Sequence, residues 1–375
     1  MDAHDRDRIV CDVGAWMVRA GFASETVPSE TFPDVVGKLR AVFERGKHRH
    51  FVGDEAYRMS AILRLDQPMR RSYFTDFEKA EMIWDHLFHE KLGVHPVDHT
   101  LLVTEPPLCP RSCREKLVQY LFETHSVPAL FLANKSVLPL YARGLLTGVV
   151  LDSGEARSWA VPIYEGYAMP YAIQESEVAG AKLTELLQHL LRGLPCCIHE
   201  SRKCVRMMKE RLCYISQDFP VEAIHQETCF EERIVYTLPD GQLMDVGAER
   251  FVCPEVLFDP SIHGMKKTPG VHHLVTRAIE KSDVDLRNIL ADNIVVSGGS
   301  TLFPGFIERL KSELGMCGVR GVDQFSFHVE GRPERDMLTW LGGSALAQLP
   351  TFPDMCMTAK EYLDYGPSIV HRMSF

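Results

Sequence analysis

Apolar and polar residues alternate through segment 8–23, with Ile9-Val10-Cys11 and Met17-Val18-Arg19-Ala20-Gly21-Phe22 flanking the turn Asp12-Val13-Gly14-Ala15-Trp16. A period of two around a glycine-bearing turn predicts a hairpin. The pattern recurs at 145–152 and 159–163 around Asp152-Ser153-Gly154-Glu155-Ala156. Helical spacing marks 77–91 through Met82, Ile83, Leu87 and Phe88, and 111–124 through Leu117, Val118, Leu121 and Phe122. Segments 178–191 and 306–314 read the same way, the latter opening after Pro304-Gly305. Leu101-Leu102-Val103-Thr104-Glu105-Pro106-Pro107 reads as a buried strand ended by prolines. A chain that uses the same hairpin twice is expected to build two similar α/β lobes facing a cleft, each giving one hairpin to a shared ligand.

Length supports that division, because 375 residues exceed the size at which a single core keeps growing. A net charge of -10, from 51 acidic and 41 basic residues, excludes a global attraction to nucleic acid or anionic membrane. No apolar stretch approaches the roughly 20 residues of a membrane span, and the polar opening is unlike a signal peptide, so an intracellular protein is expected. The 11 cysteines include no Cys-x-x-Cys pair. Cys109 with Cys113, and Cys196-Cys197 with His199, lack further ligands at zinc spacing, so buried or spectator thiols are expected. The basic segment 41–51 reads as a solvated loop, with partner binding through Phe43 and Phe51 as the alternative.

Phosphate-gripping hairpins need glycine or small residues so that consecutive N–H groups can face the anion, and Trp16 puts the largest side chain there. The ending Tyr365-Gly366-Pro367-Ser368-Ile369-Val370-His371-Arg372-Met373-Ser374-Phe375 closely resembles that of actin. So do Pro162-Ile163-Tyr164-Glu165-Gly166-Tyr167, Lys209-Glu210-Arg211-Leu212-Cys213-Tyr214, Ser297-Gly298-Gly299-Ser300-Thr301 and Trp340-Leu341-Gly342-Gly343-Ser344. The resemblance spans the whole chain and leans, through Arg143 and Leu145-Leu146-Thr147-Gly148-Val149-Val150, toward actin-related and actin-like proteins. It implies a two-lobed α/β actin fold with duplicated ribonuclease-H-like cores, and ATP or ADP with magnesium or calcium in the cleft. The implied lobes are 1–143 plus 333–375, with a small subdomain at about 34–69, and 144–332.

By that resemblance, Asp12 and Asp152 hold the water shell of the metal, as hard cations with phosphates favour. Gly14 and Arg19 in the first loop, and Ser153 and Gly154 in the second, match phosphate-side residues. Lys209, Glu210, Gly298, Gly299, Ser300 and Phe303 match the adenosine side. The departures are concentrated here. Val13, Ala15 and Trp16 replace asparagine, serine and glycine, and Trp16 must either leave the phosphate space or fill it. Ala156 replaces a glycine and Asp336 a lysine of the base pocket. Lys135 stands for the water-orienting glutamine and Trp159 for the histidine of the second loop. A lysine ammonium has donors only and cannot accept the proton of the attacking water. Lys135 could pair with a γ-phosphate, or with Asp12 or Asp152.

Tyr141, Gly144, Thr147, Tyr167, Leu346, Leu349, Thr351 and Met355 match the family's hydrophobic partner groove. Segment 261–267 matches its inter-strand plug, made more polar by Lys266 and Lys267. The leading expectation is a cytoplasmic, cytoskeletal structural protein with little or no ATPase activity and weak or absent nucleotide, binding actin-binding proteins or actin and actin-related subunits. An ATP-binding conformational switch or slowly hydrolysing filament former is the alternative, and a metabolite kinase a third; a nuclear location is a further expectation.

Overall fold

The structure is a computed structural model that describes residues 8–40, 50–70, 72–193, 201–228, 234–238, 241–322 and 327–373. Most of the basic segment, 41–49, and the cluster Cys196-Cys197 with His199 lie outside the described residues. The chain divides into two compact units. One comprises Met1–Val150, Ile163–Pro170 and Met337–Phe375, the other Leu151–Pro162 and Tyr171–Asp336. These boundaries fall several residues after those implied by the resemblance. Strand Ser158–Tyr164 also crosses the division.

The first unit is built on a mixed sheet. Strands β1 (Arg8–Val13) and β2 (Met17–Phe22) form the expected hairpin, and β3 (Glu30–Pro33) extends it. On its other side β1 runs parallel to Thr100–Glu105, which runs parallel to Ala129–Asn134. Thr100–Glu105 is buried at every position but its first, as an apolar run covered on both faces should be. Against the sheet pack Ile83, Trp84, Leu87 and Phe88, together with Leu117, Val118 and Leu121. The periodic segment 77–91 is an α-helix only over Phe77–Asp85; its continuation His86–Leu92 is a π-helix, ended by Gly93 at φ 63°. Apolar periodicity does not distinguish the two windings.

A small sheet of β4 (Val36–Leu39), β5 (His50–Val52) and β6 (Leu63–Asp66) encloses its own core of Val35, Phe51, Ala56 and Leu63, with helix α1 (Gly53–Arg58) beside it. Its strands are joined by non-local pairing, which the local sequence pattern does not reveal.

Helix Leu338–Ala347 closes the first unit. Trp340 is fully buried and its indole N–H donates to the Val10 carbonyl at 3.1 Å, while Ser344 donates to Ala23 at 2.7 Å. The helix lies so close to Leu138–Tyr141 that a Cβ on Gly342 would stand 1.8 Å from the Leu138 carbonyl oxygen.

In the second sheet the order is Tyr167–Ala168, Ser158–Tyr164, Gly148–Ser153, Ile294–Ser297 and Val329–Glu330, with Gln174–Ser176 also pairing Ser158–Tyr164. Helices Gly180–Leu190, Arg202–Leu212, Val271–Lys281 and Phe306–Met316 supply the second unit's buried residues, among them Leu183, Val205, Leu274 and Phe306. The eight described cysteines are free thiols. Among the described residues no helix is long and apolar enough to cross a membrane.

Gly342→Ala is expected to destabilise the chain by about 1–3 kcal/mol, because the added carbon meets backbone and cannot be accommodated by a rotamer change. Gly315→Ala, whose Cβ meets nothing within 4 Å, serves as the control and should be neutral or slightly stabilising. Thermal melting of both variants checks this, and equal behaviour would refute the close helix approach.

Candidate functional site

Each unit carries an aspartate at the penultimate position of the first hairpin strand. In the first, Asp12 stands opposite Arg19, and the Gly14 N–H closes the turn on the Met17 carbonyl at 2.9 Å. A Cβ on Gly14 would also lie 2.9 Å from that oxygen, so the turn is this tight only with glycine. Asp12 is 6% exposed and accepts a hydrogen bond from Thr104 Oγ1 at 2.8 Å. Thr104 follows the last register pair of β1 and Thr100–Glu105, Cys11 with Val103, which places it beside Asp12. This is the carboxyl edge of parallel strands, where open α/β sheets present their ligand-binding groups.

Lys135 reaches the same edge. It follows Ala129–Asn134, whose Asn134 pairs Glu105, and its N–H donates to the Glu105 carbonyl at 2.9 Å. Burial and the adjacent Asp12 charge drive the Cys11 thiol far above its ordinary range, so this cysteine is an inert core residue.

Trp16 leaves the turn. Its ring meets Tyr57 edge to face, centroids 5.1 Å apart, and packs against the small-sheet core. The Trp16 carbonyl accepts from the Asp34 N–H at 2.7 Å, and the Ala15 carbonyl from Gln67 Nε2 at 2.8 Å. The first hairpin is thereby fastened to the small sheet through both ring and backbone. Asp34 itself is fully buried, neither carboxyl oxygen has a hydrogen-bond partner, and burial pushes its pKa up to about 8.

In the second unit, Asp152 is 7% exposed and lies against the turn that follows Ile294–Ser297. Gly298 has φ 94°, and a Cβ there would stand 2.6 Å from Asp152 Oδ1 and 2.3 Å from the Ser153 carbonyl. Around Gly299 there is open space, so its backbone can approach a ligand closely. The Ser153 hydroxyl is committed internally. Ser158 donates to the Val178 carbonyl at 2.6 Å, which leaves Ser158 Oγ to accept from Ser153 at 2.7 Å. Gly154 closes its own turn, N–H to the Arg157 carbonyl at 3.2 Å, and its carbonyl accepts from Ser300 Oγ at 2.7 Å.

Lys209 is buried and donates to the Gly180 carbonyl at 2.9 Å and Thr184 Oγ1 at 3.0 Å; burial lowers its pKa against the opposing pull of Glu155. Glu210 is exposed on the same helix, Arg202–Leu212, and Phe303 is buried. Trp159 is 1% exposed with an indole N–H that has no partner, under the Arg157 guanidinium at 5.8 Å. Asp336 is half-buried beside Arg335, which donates to the Thr301 carbonyl and hydroxyl at 2.6 and 3.0 Å.

Asp12 in the first unit and Asp152 in the second each offer carboxylate oxygens of the kind a hydrated hard cation takes, and the backbone beside each is kept bare by Gly14 in the one and by Gly298 and Gly299 in the other. The side-chain hydroxyls expected to face phosphate are either absent, at Ala15, or engaged, at Ser153. Several positions carry no motif signature of their own. Thr104 was legible only as part of the buried strand at 101–107, and parallel pairing is what sets it beside Asp12. Glu155, which accepts from both terminal guanidinium nitrogens of Arg206, with one contact at 3.0 Å, and Arg335 had no signal in the local pattern.

The partner-groove set lies in the first unit. Tyr141, Leu346 and Met355 join one core cluster with Trp340 and Phe352, Leu346 being 6% exposed and thus a packing residue. Leu349 and Tyr167 are the open apolar members at 46% and 62% exposed. Gly144 holds φ 69°, the Thr147 hydroxyl accepts from the Glu165 N–H at 3.1 Å, and Thr351 is exposed at the start of Phe352–Met355. Gly166 brings Tyr141 near the Tyr167 loop, since a Cβ on it would lie 2.6 Å from the Tyr141 hydroxyl.

The model of a protein family described as actin matches residues 3–199 and 195–375 of this chain.

Asp34 predicts a pH signature. Its folded pKa of about 8 lies above the ordinary value of 3.8, so its stabilising contribution is full below about pH 4, declines as the unfolded chain ionises, and is gone above about pH 8. Asp34→Asn should melt progressively higher than the parent between those limits. A melting difference independent of pH would contradict the unpartnered buried carboxyl.

Proposed function

The chain belongs to the actin family, and from that premise we propose an actin-like cytoskeletal protein that works by binding partners and does not hydrolyse ATP at the family's rate. Its fold is the family's mixed α/β fold. The observation that carries the proposal is Lys135 at the carboxyl edge of the sheet that also presents Asp12. An ammonium there can bind an anion or neutralise Asp12, and it cannot take a proton from attacking water. Ala15 and the engaged Ser153 hydroxyl support a weakened grip on phosphate. We assign ATP or ADP with magnesium or calcium a weak or absent place in the family's cleft, with Asp12 and Asp152 as the carboxylates that would hold the hydrated ion.

Contacts with partners fall, in this reading, to the surface around Tyr167, Leu349 and Thr351, backed by Tyr141, Leu346 and Met355. An apolar surface of this kind accepts the apolar face of an amphipathic helix. Actin-binding proteins and actin or actin-related subunits are the partner classes, and the cytoplasmic cytoskeleton is the location. A second reading, an ATP-operated conformational switch, is favoured by one observation. Trp16 vacates the first turn and joins it to the small sheet, so anything that moves the hairpin moves that sheet.

Phosphate release by the purified chain with magnesium ATP should stay at background, and Lys135→Gln should raise it. Turnover by the parent equal to that of a conventional actin would sink the proposal. For the partner surface, Leu349→Asp with Tyr167→Asp should weaken binding of an amphipathic helical peptide by about tenfold or more, whereas unchanged affinity would move the contact elsewhere.

A further inference from the structure

We propose that His272, His273 and Cys317 of the second unit form a transition-metal site, with zinc as the preferred ion. One ring nitrogen of each histidine and the cysteine sulfur lie within 4.8 Å of one another. Tetrahedral zinc, with bonds of about 2.0–2.3 Å, separates its ligand atoms by roughly 3.3–3.8 Å, so small side-chain adjustments close the set. Two different helices supply it. His272 and His273 open Val271–Lys281, and Cys317 caps Phe306–Met316 with its N–H bonded to the Glu313 and Leu314 carbonyls at 3.1 Å.

The arrangement is otherwise hard to account for. His272 is 7% exposed, lies nearly parallel to the Phe258 ring, and keeps a buried Nδ1 with no hydrogen-bond partner. Its ring centroid is only 4.0 Å from that of His273. Two imidazoles so close cannot both be charged at small cost, and a neutral ring has a lone pair to offer. Cys317 is half-exposed and unbridged. A cysteine ligand binds metal as its thiolate, so a bound cation replaces a proton there and loading weakens as pH falls.

Nitrogen and sulfur donors select zinc, cobalt, nickel or copper over magnesium and calcium. With three protein ligands, the fourth position is left to water. The other compact cluster among the described residues, Asp85, His89 and His125, is less suited, because His125 Nε2 is already 2.9 Å from the Tyr120 hydroxyl. An ion on His272, His273 and Cys317 would clip Val271–Lys281 to the end of Phe306–Met316 and stabilise the second unit.

Cobalt(II) titrated into the reduced full-length chain tests the site, since it reports coordination optically. The expected result is a thiolate-to-cobalt charge-transfer band with tetrahedral d–d absorption, displaced by zinc. Cys317→Ser should abolish the charge-transfer band, and His273→Gln should lower cobalt affinity by about 10- to 100-fold or more. Both positions are at least partly exposed, so metal-free melting should be unchanged in either variant. A parent chain without the charge-transfer band, or a Cys317→Ser chain that retains it, would overturn the proposal. Magnesium-type sites on carboxylates cannot imitate the signal, because it requires a thiolate.

Discussion

A carboxylate withdrawn from water must be met by donors, cations or a bound ion, and two such carboxylates organise this protein. Asp12 and Asp152 are nearly fully buried, each one residue from the end of a hairpin strand. Around Asp12 the sheet supplies Thr104, placed by parallel pairing, and the tight glycine turn beyond it. Around Asp152 it supplies Gly298, whose missing side chain is what allows the neighbouring turn to come so near. Gly14 and Gly298 beside the two carboxylates hold each hairpin in shape with or without a ligand.

Trp16 and Trp159 stand at positions that the resemblance assigns to small or polar ligand-facing residues, and both pack into the protein. Trp16 extends the hydrophobic core of the small sheet. Trp159 is buried under the Arg157 guanidinium, which also pairs with Glu175 at 2.7 Å. Large aromatic burial is worth a few kcal/mol per ring. Both rings stabilise the chain without help from a ligand, which supports the proposed structural role.

Much of this was legible from the chain. The hairpins, the parallel strand Thr100–Glu105 and the helices Arg111–Glu123 and Phe306–Met316 follow from periodicity and punctuation, because their stability is set by one buried face. The family followed from ordered strings of residues, and the family match spans the chain. What stayed hidden depends on distant partners. The destination of Trp16 is fixed by Tyr57, some 40 positions away in the chain, and the engagement of Ser153 by Ser158 and Val178. The π-helix at His86–Leu92 shares its apolar spacing with an ordinary helix, and the Asp34 carboxyl gives no sign in sequence that it lacks a partner.

Calorimetric titration of the purified full-length chain with magnesium ATP tests the central claim most directly, since it measures the phosphate grip itself, independent of hydrolysis. The account predicts no saturable binding at micromolar nucleotide. Micromolar or tighter affinity would contradict it.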